Sequence, residues 1–169
     1  MSTEKTPSFP PLKKGDDVLP GWEDFHNQWL LADSFIYMMQ DMSISIGPAS
    51  KIIDLGTGLG KFPEILRRMG YEYAFGVDIS QRGKPGPDIV ARIEQLPFTD
   101  GSIDFITASS VFDAQVYNQD ETLMLKEIAR VLKPGGIFYS FSNTFNVTVP
   151  ASLKIIPGTS GAVPMYKKT

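Results

Sequence analysis

Lys51-Ile52-Ile53-Asp54-Leu55-Gly56-Thr57-Gly58-Leu59-Gly60 is the stretch on which the fold turns. A short apolar run, rich in β-branched residues, leads directly into three glycines at alternate positions. Glycine permits a sharp turn with positive φ and leaves room for a ligand against the main chain. The helix expected next offers free N–H groups at its start. The pattern predicts a strand, a tight turn and a helix, with a binding surface at the junction. Its spacing is G-x-G-x-G, not the G-x-G-x-x-G that seats a dinucleotide pyrophosphate. Asp54, just before the turn, would repel a pyrophosphate but can orient a cationic amino group, directly or through water. The plainer alternative is a structural turn that only joins strand to helix.

Working outward, further short apolar runs lie at residues 73–77, 102–108 and 136–141. Helical patterns separate some of them, at 63–69 closed by Gly70 and at 120–132 closed by Pro134-Gly135-Gly136. Strands alternating with helices predict an α/β fold, an open and mostly parallel sheet flanked by helices. Upstream, Phe25, Trp29, Leu30, Ile36 and Met39 recur at helical spacing, and Gly47-Pro48 is the expected stop. Residues 1–22 are dense in proline and read as an extended arm; residues 82–88, with Gly83, Pro85, Gly86 and Pro87, read as a loop. In the tail, 147–150, 153–156 and 162–166 look like short strands, the last two able to form a hairpin. The expectation is one domain over 23–169, with an N-terminal helix at 23–46, a core at 51–143 and an atypical tail at 144–169. No helical pattern lies between residue 141 and the tail strands, so the sheet is expected to be truncated or minimal at its C-terminal end.

With 169 residues, 42% of them hydrophobic, the chain can bury a core without disulfides or metals. Its 16 basic and 19 acidic side chains leave a net charge of −3, and no basic run exceeds the pairs Lys13-Lys14, Arg67-Arg68 and Lys167-Lys168. That is not the footprint of a protein that grips phosphate backbones, so a nucleic-acid substrate is disfavoured. The absence of cysteine and the single His26 exclude thiolate chemistry and a histidine metal cluster. No window approaches membrane-spanning length, and a soluble, cytoplasmic protein is expected.

Several side chains are candidates for a site. Asp78 ends the run Phe75-Gly76-Val77 about twenty residues after the glycine turn, where the tip of the next strand is expected. A carboxylate there can accept hydrogen bonds from both hydroxyls of a ribose, although Asp78-Ile79-Ser80 also suits a simple turn. The segment from Leu96 to Asp104, Leu-Pro-Phe-Thr-Asp-Gly-Ser-Ile-Asp, bends the chain so that Ile93 or its neighbours can cover a planar ring. Residues 130–136 stop a helix and start a strand, an architectural role. His26 can serve as a base near neutral pH but is more simply structural. Trp22, Phe25, Trp29, Phe35, Tyr37, Met38 and Met39 form either an aromatic cover for a cation or a helix face packed on the sheet. Asp113, Tyr117 and Asn118, and more weakly Ser142 and Asn143, fall where acceptor groups bind in open α/β sheets. The pairs Arg67-Arg68 and Lys167-Lys168 read as solvated surface charge.

In order and spacing, residues 51–143 resemble the class I S-adenosylmethionine-dependent methyltransferases, with their Rossmann-like fold, most closely the subgroup acting on quinones and other small molecules. The resemblance implies that Asp54 and the backbone of Gly56, Thr57 and Gly58 hold the methionine moiety of S-adenosylmethionine. It implies Asp78 for the ribose, Ile79 for one adenine face, Ile93 for the adenine edge, and Ser109 beside the sulfonium. The chain departs from the pattern at Arg92, where members usually carry Asp, and at Ser109-Ser110, where the subgroup often has histidine. The tail also looks too short for the usual last helix and two strands. The reading is methyl transfer to a small-molecule acceptor, with no catalytic residue identified. Two alternatives remain: a cyclase or lyase acting on S-adenosylmethionine itself, and a non-catalytic binding protein that forms a homo-oligomer through its arm or tail. The absence of an Asn-Pro-Pro-Tyr or Asp-Pro-Pro-Tyr element argues against amino-directed nucleic-acid methyltransferases.

Overall fold

The strand expected before the glycine turn is β1 (Ile52–Leu55), and the turn delivers the chain to α2 (Lys61–Arg68). This computed structural model describes residues 22–81, 86–109, 111–112, 120–141, 145, 147–157 and 164–169, with residues 22–31 and 141 by backbone alone. Before β1 runs α1 (Trp22–Asp41). After α2 come β2 (Ala74–Asp78), β3 (Ile89–Val90), β4 (Ile103–Ser109), α3 (Glu121–Val131), β5 (Leu132–Phe141), β6 (Leu153–Ile155) and β7 (Met165–Lys168). The strands form one seven-stranded sheet in the order β3-β2-β1-β4-β5-β7-β6. The first five are parallel, and β7 runs antiparallel to both β5 and β6. From β1 the chain moves to β2 and β3 on one side, then crosses to β4 on the other. The crevice beyond the carboxyl ends of β1 and β4 is therefore a topological switch point, where open α/β sheets bind ligands.

Strand alternation sends successive residues to opposite faces, and each face has its own core. On one face Ala32, Phe35, Ile36 and Met39, at positions i, i+3, i+4 and i+7 of α1, pack with Ile65 and Leu66 of α2 over Ile52, Ala74 and Phe105. Phe35 is its hub, with ring centroids 6.1 Å from Phe62, 6.4 Å from Phe105 and 5.8 Å from Tyr139. On the other face Met124, Leu125 and Ile128 of α3 pack over Ile53, Leu55, Ile106 and Phe138. Asp120 caps α3, its side chain accepting the Leu123 N–H at 3.0 Å.

Several expectations are corrected. Helix α1 ends at Asp41, before Gly47-Pro48. Ser43 adopts a left-handed φ of 56°, its N–H reaching Gln40 O while Ile44 N–H reaches Met39 O, a closing motif in which serine stands where glycine is usual. β5 starts at Leu132 instead of Gly136, because Leu132 pairs with Ile103 before the register shifts and resumes at Ile137 with Phe105. The two-residue strand β3 is too short to carry a sequence pattern. The tail accommodates both final strands after all: β6 and β7 form the expected hairpin, and β7 is seated between β5 and β6. No helix lies among the described residues between β5 and β6.

Two supposed surface cations are structural ties. Arg67 on α2 donates to Ala74 O and to Asp88 Oδ2, which also accepts the Gly76 N–H at 2.8 Å, so one carboxylate links helix, β2 and the approach to β3. Lys168 Nζ donates to Leu132 O at 2.6 Å and Arg130 O at 3.4 Å, binding carbonyls at the C-terminal end of α3. The Leu96-Pro97-Phe98 turn is strapped to α3. Arg130 donates to Leu96 O and Phe98 O, and Glu127 accepts the Leu96 N–H at 2.8 Å. The guanidinium of Arg130 lowers the Glu127 pKa below its ordinary value. Among the described residues no helix is long and apolar enough to cross a membrane.

Candidate functional site

All three glycines of the turn take left-handed backbone angles, with φ of 71° at Gly56, 59° at Gly58 and 71° at Gly60. A side chain at these positions would be strained. At Gly56 it would also strike Val111 after β4, its Cβ standing 1.9 Å from Cγ1, and at Gly60 it would meet Gly86 O at 2.2 Å. A Cβ at Gly58 would meet nothing within 4 Å among the described residues, so the middle of the turn is uncrowded by them. The turn is held from β2: Val77 O accepts the N–H groups of Gly56 at 2.8 Å and Thr57 at 3.1 Å, and Asp78 Oδ2 accepts the Gly58 N–H at 2.9 Å.

Asp54 lies at the centre. Parallel register sets it directly between Gly76 of β2 and Thr107 of β4. Thr107 Oγ1 donates to Asp54 Oδ1 at 2.8 Å, with a longer 3.4 Å contact to Ile53 O. On the other side Gly76 leaves a gap that the Thr57 side chain occupies. A Cβ at Gly76 would stand 2.6 Å from Thr57 Cγ2 and 2.8 Å from its Oγ1. Asp54 is 9% exposed, and burial pushes its pKa up to about 6. The hydroxyls of Thr57 and Thr107 pull it back, and the negative charge of Asp78 adds to the rise. Thr57 Oγ1 acts on the carboxylate from beyond hydrogen-bonding geometry, and it is buried without a hydrogen-bond partner. An anion held in this way, with a buried hydroxyl unsatisfied beside it, is the environment that a cationic group would relieve.

The other sequence candidates fall into three groups. Asp78 is at the tip of β2, 8% exposed. Its Oδ1 accepts the Ser80 N–H at 3.2 Å, so the turn role weighed for it is real. Ile79 follows it, 40% exposed, an apolar surface beside the turn, and Ser109 ends β4 exposed. Ile93, in contrast, is 5% exposed within the core of the α3 face, so its side chain serves packing and only its backbone is offered to a ligand. Arg92 turns toward Glu94, its NH2 donating to Oε1 at 2.8 Å. Of the proposed aromatic cover, Phe35 and Met39 are core residues and Tyr37 is 69% exposed. The side chains of Trp22, Phe25, His26 and Trp29, and residues Asp113, Tyr117, Asn118, Ser142 and Asn143, lie outside the description.

Sequence reading missed Thr107 and Gly76. Both sit in apolar strand runs with nothing local to mark them, and only the alternation that puts Asp54 on the Ile52 face, combined with the register of three strands, brings them together.

The chain matches the family model described as "Methyltransferase domain" over residues 53–140. It is 30% identical over 99 residues to demethylmenaquinone methyltransferase from a Mycobacterium species, covering 56% of this chain and 42% of that protein. It is 32% identical over 107 residues to 2-methyl-6-phytyl-1,4-hydroquinone methyltransferase from a Synechocystis species, covering 55% of this chain and 32% of that one. The chain thus spans less than half the length of these two relatives. Among solved structures, the antibiotic-resistance methyltransferase Kmr superposes with a TM-score of 0.52 at 18% identity, over 71% of this chain and 86% of that one, a likeness of fold.

Proposed function

The chain belongs to the class I S-adenosylmethionine-dependent methyltransferases, and from that premise we propose that it binds S-adenosylmethionine across the carboxyl ends of β1 and β2 and passes the methyl group to a small-molecule acceptor. One observation carries the reading: a buried carboxylate, Asp54, whose one side-chain hydrogen-bond donor among the described residues is Thr107, beside a turn whose middle glycine is uncrowded by them. When bound, S-adenosylmethionine supplies an electrophilic methyl group on a sulfonium that departs as a neutral thioether.

The residues present suit such a ligand. Asp54 receives the α-ammonium group, and the backbone of Gly56, Thr57 and Gly58 lines the methionine moiety. Asp78 at the tip of β2 accepts the ribose hydroxyls, Ile79 covers one adenine face, and the chain at Ile93 borders the adenine edge through its backbone. Ser109 flanks the reacting centre. The protein's part is then alignment and exclusion of water, with no protein nucleophile required. That the acceptor is a small molecule is supported by the names of the two relatives, both quinone-type methyltransferases, and by the lack of clustered basic charge.

Calorimetric titration with S-adenosylmethionine and S-adenosylhomocysteine, followed by mass analysis of the cofactor after incubation without acceptor, tests the reading. Saturable binding with intact cofactor is the expected result. Failure of both to bind at millimolar concentration would overturn it, and breakdown of the cofactor without acceptor would replace methyl transfer with a cyclase or lyase reaction.

A further inference from the structure

Asp54 cannot serve a ligand merely by being present; its carboxylate must be held ionised and in one orientation inside a site that penalises both. Of the two strands that flank it in register, β2 offers Gly76, which has no side chain. β4 offers Thr107, which is 5% exposed and whose hydroxyl donates to Oδ1 at 2.8 Å. Thr57, the remaining hydroxyl nearby, does not reach hydrogen-bonding geometry. Among the described residues, the one donor in hydrogen-bonding geometry with the Asp54 carboxylate is therefore contributed by the neighbouring strand.

We propose that Thr107 is a positioning residue that gives this site its preference for ligands carrying an ammonium group, by pinning one oxygen of Asp54 so that the carboxylate stays charged and its second oxygen is left for the ligand. The inference rests on the cofactor reading above and goes beyond it by assigning the selectivity to a residue that touches no ligand. The hydroxyl is well suited to the task. It is a single donor on a β-branched side chain whose χ1 is restricted, and its backbone is locked in the sheet beside β1. Replacement by valine keeps the shape but sets a methyl group against the carboxylate, which favours the protonated, neutral form. A neutral carboxyl group no longer attracts an ammonium.

Two ligands separate this role from general damage: S-adenosylhomocysteine, which carries the α-ammonium, and 5′-methylthioadenosine, which keeps the nucleoside and lacks the amino-acid portion. The full chain is titrated with each by calorimetry between pH 6 and 8.5, for wild type, Thr107→Val and Thr107→Ser. The expected result is that Thr107→Val weakens S-adenosylhomocysteine about 10-fold at pH 7.5, as loss of one hydrogen bond to a charged group predicts. Methylthioadenosine should change less than twofold, and the pH at which S-adenosylhomocysteine binding is half lost should move upward. Thr107→Ser, which restores the donor, should return both properties toward wild type. If the valine variant does not fold, Thr107→Ala removes the same donor and carries the same comparison. Equal weakening of both ligands, or no change in either, would overturn the role of Thr107 while leaving the cofactor reading intact. Wild-type protein that binds neither ligand would overturn both.

Discussion

Replacing Asp54 by asparagine should make the protein more stable at neutral pH while removing its hold on the ligand. The carboxylate is 9% exposed, and burial lifts its pKa from the ordinary 3.8 to about 6, with the Thr57 and Thr107 hydroxyls opposing and Asp78 adding to the rise. The folded protein therefore keeps this proton up to about pH 6, whereas the unfolded chain releases it near 3.8. Between those values the native state binds more protons, so stability falls as pH rises and the whole cost is present above pH 6. A pKa difference of about 2, at about 1.4 kcal/mol for each, makes that cost about 3 kcal/mol. Asparagine carries no charge to desolvate, and its amide oxygen can still accept from Thr107. At pH 7.5 Asp54→Asn should gain up to about 3 kcal/mol, raising Tm by about 6–12 °C for a chain of this size. At pH 3.5, where the native aspartate is protonated, the two proteins should be equally stable. Urea unfolding at both pH values measures the effect directly. A variant less stable than wild type at pH 7.5, or a gain of the same size at pH 3.5, would refute the claim that a buried charge is being held at an energetic cost.

Gly76→Ala should weaken S-adenosylhomocysteine binding by about 1–3 kcal/mol, because its Cβ would stand 2.6 Å from Thr57 Cγ2 and displace the β-branched side chain beside Asp54; titration showing wild-type affinity would mean that Thr57 yields freely. Asp78→Ala should cost about 1.5–3 kcal/mol in binding if the carboxylate accepts charged hydrogen bonds from ribose. Because Asp78 also holds the Gly58 N–H, adenosine affinity should be measured beside it, and unchanged affinity for both ligands removes the ribose assignment. Arg130→Ala should destabilise the fold by about 1–3 kcal/mol through loss of its bonds to Leu96 O, Phe98 O and Glu127. Calorimetric melting with an unchanged Tm would show that the strap over the Leu96 turn contributes nothing.

Much of the architecture was legible locally. The alternation of apolar runs and helical patterns foretold the parallel sheet, and Gly70 and Asp120 marked helix ends where a left-handed residue and a side-chain cap are indeed found. Where the reading slipped, the deciding interaction was distant or unusual. Ser43 closes α1 in a conformation that sequence normally assigns to glycine. Arg67 and Lys168 became ties because Asp88 and the Leu132 carbonyl come to meet them. The tail looked inadequate because no helical pattern follows residue 141 and it is short for a last helix and two strands, whereas the place of β6 and β7 in the sheet depends on an edge of β5 that no local pattern reveals.

The glycine turn and its two carboxylates were determined by the sequence itself, since positive φ at alternate positions and a charged residue at a strand tip are properties of the residues and their immediate neighbours. Which groups attend Asp54 was decided only by tertiary structure. Thr107 lies 53 positions away and Gly76 opposite it, and their meeting depends on strand order and register, which no residue encodes alone and only the packing of the whole sheet selects.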